Sequence, residues 1–326
     1  MTPFYVIAFL ALVLSFFIYY PSPDLSERLL SWKRKGQTIR YNQMDVFFID
    51  EPGTGSYGTV FCLHGFPTSS HDWIKVLDGL KEQFSRVVLL DFLGHGFSEK
   101  PTPYVYSIFE QATIVEVLAK KLGVSRAHLL SHDYGDTVAL ELLARYNKKR
   151  RNSELQLQTL CLLNGGLFPG KYHPRRIQKL LLIPVIGSIA TRLTFFQLFK
   201  FSFAEIFGDN KPSHEEMQDF YAAVTYKSGH IAMPEILHYI QERAENENRW
   251  VGALKESAIP VLMIYGPADP VNPPPFQDYF RRIAPRHGIV VLEDRVGHYP
   301  QWEAPNTLTK HYNQFVSKQN TVTPDV

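Results

Sequence analysis

The stretch Ser131-His132-Asp133-Tyr134-Gly135 constrains this chain more than any other part of it. It joins an apolar run ending at Leu130 to a helical pattern beginning near Gly135. Small residues at positions 131 and 135 let a strand and a helix pass close together, and the sharp turn between them thrusts the central side chain, here Asp133, into a cleft. The plainer use of such an aspartate is as a helix N-cap.

A strand-turn-helix of this kind needs a sheet behind it, and the rest of the sequence supplies one. Apolar runs at 46–49, 59–63, 87–90, 128–130, 160–163, 261–265 and 289–292 alternate with helical patterns. That alternation predicts an α/β architecture, and the density of Val, Leu and Ile predicts mostly parallel strands buried on both faces. One helix is expected over 107–122, with Ile108, Ala112, Val115, Leu118 and Leu122 on its apolar side and Gly123 as its stop. Another is expected over 137–145. Between about 168 and 257 the alternation lapses into a Phe-rich helical pattern without a convincing strand. The division expected is therefore a core formed by 38–167 and 256–317, interrupted by a helical cap at 168–255. Within the cap, 180–190 is almost wholly apolar but too short to span a bilayer. A buried cap helix is the plain reading, and a patch dipping into a membrane surface is the other.

From residue 4 to residue 20 every position except Ser15 is apolar or aromatic. At 1.5 Å per residue such a helix is about 25 Å long, at the short end of what spans a membrane. A cleaved signal peptide is the competing use, but no Lys or Arg precedes the run, and Tyr19, Tyr20 and Pro21 stand where cleavage favours small residues. Residues 1–21 are thus expected to be a transmembrane anchor, with 22–37 a polar linker. Arg28, Lys33, Arg34 and Lys35 follow the run, which places the body on the cytosolic side.

Composition removes several classes of function. The 326 residues carry 34 Lys and Arg against 32 Asp and Glu, and a net charge of +2 gives no reason to expect a nucleic-acid partner. With 45% apolar and 20% charged residues the chain is that of a folded protein. Two cysteines, Cys62 and Cys161, exclude a disulfide framework and a Cys-based zinc site.

Further motifs surround the turn at Asp133. The run 59–63 leads into His64-Gly65-Phe66-Pro67, leaving the Phe66 N–H as a candidate oxyanion donor beside that of Tyr134. After 261–265 comes Gly266-Pro267-Ala268-Asp269, and after 289–292 comes Gly297-His298. Nucleophile, acid, histidine is the chain order of the α/β-hydrolase fold, with Asp133, Asp269 and His298 in those places. His64, His71, His95 and His132 are expected in turns or supporting positions, Asp91 and Ser98 are read as structural, and Asp136 as a solvated acid in the first turn of its helix. The motif set calls for neither metal nor cofactor.

HGFPTSS (64–70), DFLGHGFSEKP (91–101), SHDYGD (131–136), YGPADPVNP (265–273) and GHYPQWEAP (297–305) resemble the epoxide hydrolase-related branch of the α/β-hydrolases, over roughly 36–317. The resemblance implies a hydrolase of the endoplasmic-reticulum membrane. An aspartate, with an ordinary pKa near 3.9, is ionised at neutral pH and suited to displacing a leaving group from an sp³ carbon. The alkyl ester so formed is cleaved by water, with His298 as base and Asp269 orienting it. A halide leaving group needs N–H donors that Phe66 and Tyr134 lack as side chains. An epoxide needs an acid, and the segment 235–240 resembles the family's second cap tyrosine, making Tyr239 the candidate. Where the first tyrosine is expected, 194–199 holds no phenol, which leaves Tyr172 and Tyr226 as substitutes. The expected substrate is lipophilic, reaching the site from the membrane. The alternatives are another ester or lipid hydrolase and a hydrolase-like binding protein with weak turnover.

Overall fold

Eight strands, β1 (Gln37–Tyr41), β2 (Met44–Pro52), β3 (Thr59–Leu63), β4 (Arg86–Leu90), β5 (Arg126–His132), β6 (Gln156–Leu163), β7 (Val261–Tyr265) and β8 (Gly288–Val291), make one sheet in the order β1-β2-β4-β3-β5-β6-β7-β8. They are seen in a computed structural model that describes residues 3–18 and 22–320. From β4 to β8 every neighbouring pair is parallel, whereas β1 with β2 and β2 with β4 are antiparallel. β1 has no counterpart among the expected runs, because Ile39 is its sole buried residue and gives no alternation to detect.

Side chains of the central strands alternate between two apolar layers. Phe61, Leu63, Val88 and Leu90 face the layer formed with helices Ile108–Lys121, Tyr134–Lys149 and Glu247–Lys255. Val60, Cys62, Val87 and Leu89 face the other, with Glu27–Lys35, Leu77–Lys81 and Pro305–Asn320. Both faces are covered, which is the condition a parallel sheet requires.

The stretch expected as a linker at 22–37 holds one of those covering helices. The Ser26 hydroxyl accepts the Leu29 N–H at 3.1 Å and caps Glu27–Lys35, while Leu29 and Trp32 are buried against the sheet. Two apolar anchors on an otherwise charged segment suffice for docking but hide the helix from a periodicity argument. Its cations are engaged too: Arg28 pairs with Asp219 at 2.5 Å, and Lys33 donates to the Tyr226 hydroxyl at 2.8 Å.

Ahead of it lies the 16-residue helix Pro3–Ile18, without a charged side chain. This is shorter than the roughly 20 residues that cross a bilayer. No helix among the described residues is long and apolar enough to do so. Tyr19, Tyr20 and Pro21, which the expected anchor includes, lie outside the described residues.

Between β6 and β7 the described chain is helical. Its last helix, Glu247–Lys255, belongs to the core layer: the Trp250 indole donates to Glu141 on the helix Tyr134–Lys149 at 2.9 Å. The apolar stretch 180–190 is not a buried helix. It breaks into Arg176–Leu181 and Ile186–Arg192, so that Leu181 and Gly187 turn inward while Leu182, Ile183, Val185, Ile186 and Ile189 are exposed.

Candidate active site

The carboxyl ends of β3, β5, β6 and β7 converge under the cap. At the end of β5, Asp133 has φ 46° and ψ −103°, a strained backbone for a residue with a Cβ. A Cβ at Gly135 would lie 2.3 Å from the Leu63 carbonyl oxygen, so the crossing of helix and strand admits no larger residue there. The turn leaves the Asp133 side chain lining a cavity, buried to within 3% of full enclosure, and the Phe66 N–H donates to its Oδ2 at 3.1 Å. Tyr134 opens the helix, where N–H groups lack carbonyl partners within the helix itself.

His298 faces the same carboxylate. Its Nε2 is 3.9 Å from Asp133 Oδ1, and its Nδ1–H donates to Asp269 Oδ2 at 2.9 Å. Asp269 also accepts from the Asn164 amide (2.9 Å), the Asn272 amide (3.0 Å) and the Val271 N–H (2.7 Å). Burial works against the Asp269 charge, but the His298 charge and these donors outweigh it and hold the pKa below the ordinary value. Burial likewise opposes an imidazolium at 298, yet Asp269, with Asp133 and Glu303 adding to it, raises the His298 pKa above 6.5. Glu303 steadies the loop by accepting from the N–H groups of Gly297 (2.9 Å), Tyr299 (3.0 Å) and Gly208 of the cap (2.7 Å).

The cap contributes two phenols. Tyr172 lines the cavity, and its hydroxyl is 3.3 Å from that of Tyr239. Tyr239 is fully buried behind it, packed on Tyr134 and within 3.5 Å of the Gln178 amide. Burial raises both phenols, Tyr172 to about 12 and Tyr239 well above its ordinary value, so both hold their protons at neutral pH. The residues placed together are thus Asp133, His298, Asp269, Phe66, Tyr134, Tyr239 and Tyr172. Tyr226 is elsewhere, bonded to Lys33.

Arg243 is a member that no motif in the chain points to. Its Nη2 lies 3.2 Å from the Asp133 carbonyl oxygen and 3.8 Å from Oδ1, and its Nε donates to Thr137 at 2.7 Å. The guanidinium covers the rings of Tyr239 (4.6 Å) and Tyr172 (5.4 Å), while Nη1 is buried without a partner. It joins nucleophile and phenols across more than a hundred positions, a contact that only tertiary structure creates.

The supporting histidines are buried as neutral groups. His64 Nε2 accepts the Phe92 N–H at 3.0 Å, and burial lowers its pKa to about 3. His132 donates to the His298 carbonyl at 2.8 Å, and burial holds it well below 6.5. Asp91 accepts from Ser70 and Phe97 N–H groups at 2.7 and 2.6 Å, a loop-bracing role. Asp136 departs from expectation: it is fully buried, accepts from Ser131 at 2.6 Å, and burial pushes its pKa well up. The close approach of strand and helix at the turn seals it from solvent.

The cavity is lined mainly by apolar side chains: Ile177, Leu181, Leu198, Phe199, Phe203 and Met233 wall it beside Asp133 and His298. It suits a hydrophobic ligand presenting one polar centre to the carboxylate.

Comparison with known proteins agrees with this geometry. Residues 58–153 match the family model described as the alpha/beta hydrolase fold. The human mesoderm-specific transcript homolog protein is 45% identical over 311 residues, covering 94% of this chain and 92% of its own. Haloalkane dehalogenase DbeA from Bradyrhizobium elkani superposes with a TM-score of 0.73 at 20% identity, over 88% of this chain and 99% of its own. Epoxide hydrolase CorEH gives 0.66 at 19%, over 87% and 98%.

Proposed function

Since the chain belongs to the α/β-hydrolase superfamily, in one family with the mesoderm-specific transcript proteins, we propose that it opens epoxides of lipophilic substrates through an ester on Asp133. The observation that carries this reading is a carboxylate at the turn, facing an Asp269-supported imidazole on one side and a phenol pair in the cap on the other.

Asp133 Oδ1 attacks an epoxide carbon, the C–O bond breaks toward oxygen, and the alkoxide takes the proton of Tyr172, which Tyr239 supports by hydrogen bonding. The product of this step is an alkyl ester of Asp133 and a Tyr172 phenolate beside the Arg243 guanidinium. His298 Nε2 then takes a proton from a water, whose oxygen attacks the ester carbonyl carbon. The resulting oxyanion sits at the N–H groups of Phe66 and Tyr134, an arrangement in which one donor is worth about 2.7–4 kcal/mol. The second diol oxygen leaves as an alcohol, taking the proton from His298. Asp133 is left as the acid and its proton returns to the Tyr172 phenolate, so that epoxide and water give the diol with the enzyme unchanged. Epoxide is favoured over halide because a phenol backed by a second one lines the cavity while the Phe66 and Tyr134 side chains carry no N–H.

Membrane attachment through the N-terminal apolar helix is part of the same proposal, supported by its lack of charge and by the exposure of Phe4, Tyr5, Ile7 and Phe9. The proposed location is the endoplasmic-reticulum membrane with the body toward the cytosol. Flotation with microsomes and protease protection test it.

The test of the chemistry is a trap. With His298→Gln, a lipophilic epoxide should add its own mass to the peptide carrying Asp133, stoichiometrically and without diol release. Single turnover of the native chain in ¹⁸O water should place the label on Asp133 and not in the diol. Absence of an adduct across a panel of epoxides sinks the epoxide reading.

A further inference from the structure

The exposed apolar surface of the cap is not scattered. Leu182, Ile183, Val185, Ile186 and Ile189 occupy one stretch, and Leu198 and Phe201, the latter 71% exposed, project from the neighbouring helix Phe196–Ala204. Each stretch adjoins the active-site cavity, since Leu181, next to Leu182, and Leu198 are among the residues that line it. Exposed apolar side chains gathered beside a cavity are the kind of surface that serves as a binding face.

Two observations identify its occupant. The first is charge. Between Glu154 and Glu205 the sequence contains no acidic residue, while Arg176, Lys179 and Arg192 stand exposed among the aliphatic side chains. Cations bordering exposed aliphatics suit an anionic lipid surface, where apolar groups enter the acyl boundary and basic groups meet headgroups. The second is position. Ser22, four residues beyond the N-terminal helix, donates to the Thr225 carbonyl at 2.6 Å, and Arg28 pairs with Asp219 on the helix His214–Thr225. Residues 22–26 and 28 share a surface groove with Phe195, Phe196 and Gln197, at the head of the helix that bears Leu198 and Phe201. The chain therefore emerges from its apolar N-terminal segment directly beside the cap patch.

We propose that the cap face formed by residues 182–189, Leu198 and Phe201 docks on the anionic bilayer surface, so that the cavity opens into lipid and takes up its substrate there. The inference rests on the membrane-attachment reading above but not on the chemistry assigned to Asp133.

The experiment uses the full-length chain in vesicles of phosphatidylcholine alone or with three-tenths phosphatidylserine. Val185→Cys, Phe201→Cys and, as reference, Lys148→Cys at the far end of the helix Tyr134–Lys149 each receive an environment-sensitive fluorophore. Native Cys62 and Cys161 are buried and escape labelling. Probes at 185 and 201 should shift to the blue and be quenched by doxyl lipids, at least twofold more in the anionic vesicles. The probe at 148 should stay in water. Replacing Arg176, Lys179 and Arg192 by Glu together should remove the dependence on phosphatidylserine. Asp133→Asn should dock as the native chain does, so a failed enzyme assay leaves this result standing. Floating chains whose 185 and 201 probes stay as wet as that at 148 would overturn docking alone; chains that do not float overturn docking and attachment together. A blue shift that appears without lipid and grows with protein concentration would assign the face to a second copy and likewise overturn the proposal.

Discussion

Arg243 Nη2 lies 3.2 Å from the carbonyl oxygen of Asp133 and 3.8 Å from its Oδ1, with both side chains almost fully enclosed. A cation and a carboxylate buried together are each other's main compensation for lost hydration. Removing one partner alone is costly. Arg243→Met should therefore destabilise the fold by about 3–5 kcal/mol. Adding Asp133→Asn to it should recover part of the loss. Denaturant unfolding of the four members of this cycle measures the coupling, and additive effects would show that the two side chains are not energetically paired.

The raised pKa of His298 fixes the direction of the pH response. Ester hydrolysis needs the neutral imidazole, whereas attack by Asp133 does not. As pH falls through a value above 6.5, hydrolysis should fail first and ester should accumulate, so rapid quench below that point should show a burst. Asp269→Asn removes the charge that raises His298, and general-base loss of this type costs on the order of 10²–10⁴-fold in turnover. Its acid limb should also move down. A profile that does not move would break the link between the two residues.

Tyr172 faces the cavity and Tyr239 stands behind it. Tyr172→Phe should then slow ester formation more than Tyr239→Phe, by about tenfold or more for loss of a positioned acid within the 10²–10⁴ range of general acid catalysis. Neither change should affect hydrolysis of a preformed ester. Stopped-flow measurement of the two steps separates them, and the reverse ranking would make Tyr239 the proton donor.

What could be read from the sequence follows from where the information resides. The β3 and β7 runs have the same limits in sequence and structure because strands buried on both faces are written as unbroken apolar blocks. Asp133 and Asp269 announce themselves because each follows such a block within a few residues, and His298 because it follows the next apolar run, the half-exposed β8. The helix Glu27–Lys35 does not, since Leu29 and Trp32 alone anchor it. The Tyr172–Tyr239 pair and Arg243 join distant segments of the cap, where no strand sets the register. The stretch 180–190 misleads for another reason: apolarity says that a surface avoids water, and leaves open whether protein or another medium covers it.

Asp136 tests the same distinction between what a residue type suggests and what its surroundings impose. Its carboxyl accepts the Ser131 hydroxyl at 2.6 Å and the Leu163 N–H at 3.3 Å on Oδ1, while Oδ2 is buried without a partner. Burial raises its folded pKa, so its contribution to stability is complete at acid pH, below the unfolded value of about 3.9. As pH rises, the unfolded chain ionises this group before the folded one does, and that contribution is lost. Asp136→Asn keeps an acceptor for both donors and abolishes the titration. It should melt higher than the native chain at pH 7 and close to it at pH 4. Asp136→Ala instead strands the Ser131 hydroxyl and the Leu163 N–H, and should cost about 1–3 kcal/mol at either pH. Calorimetry at the two pH values decides, and an Asn variant that melts lower at pH 7 would mean that the buried carboxyl is held ionised after all.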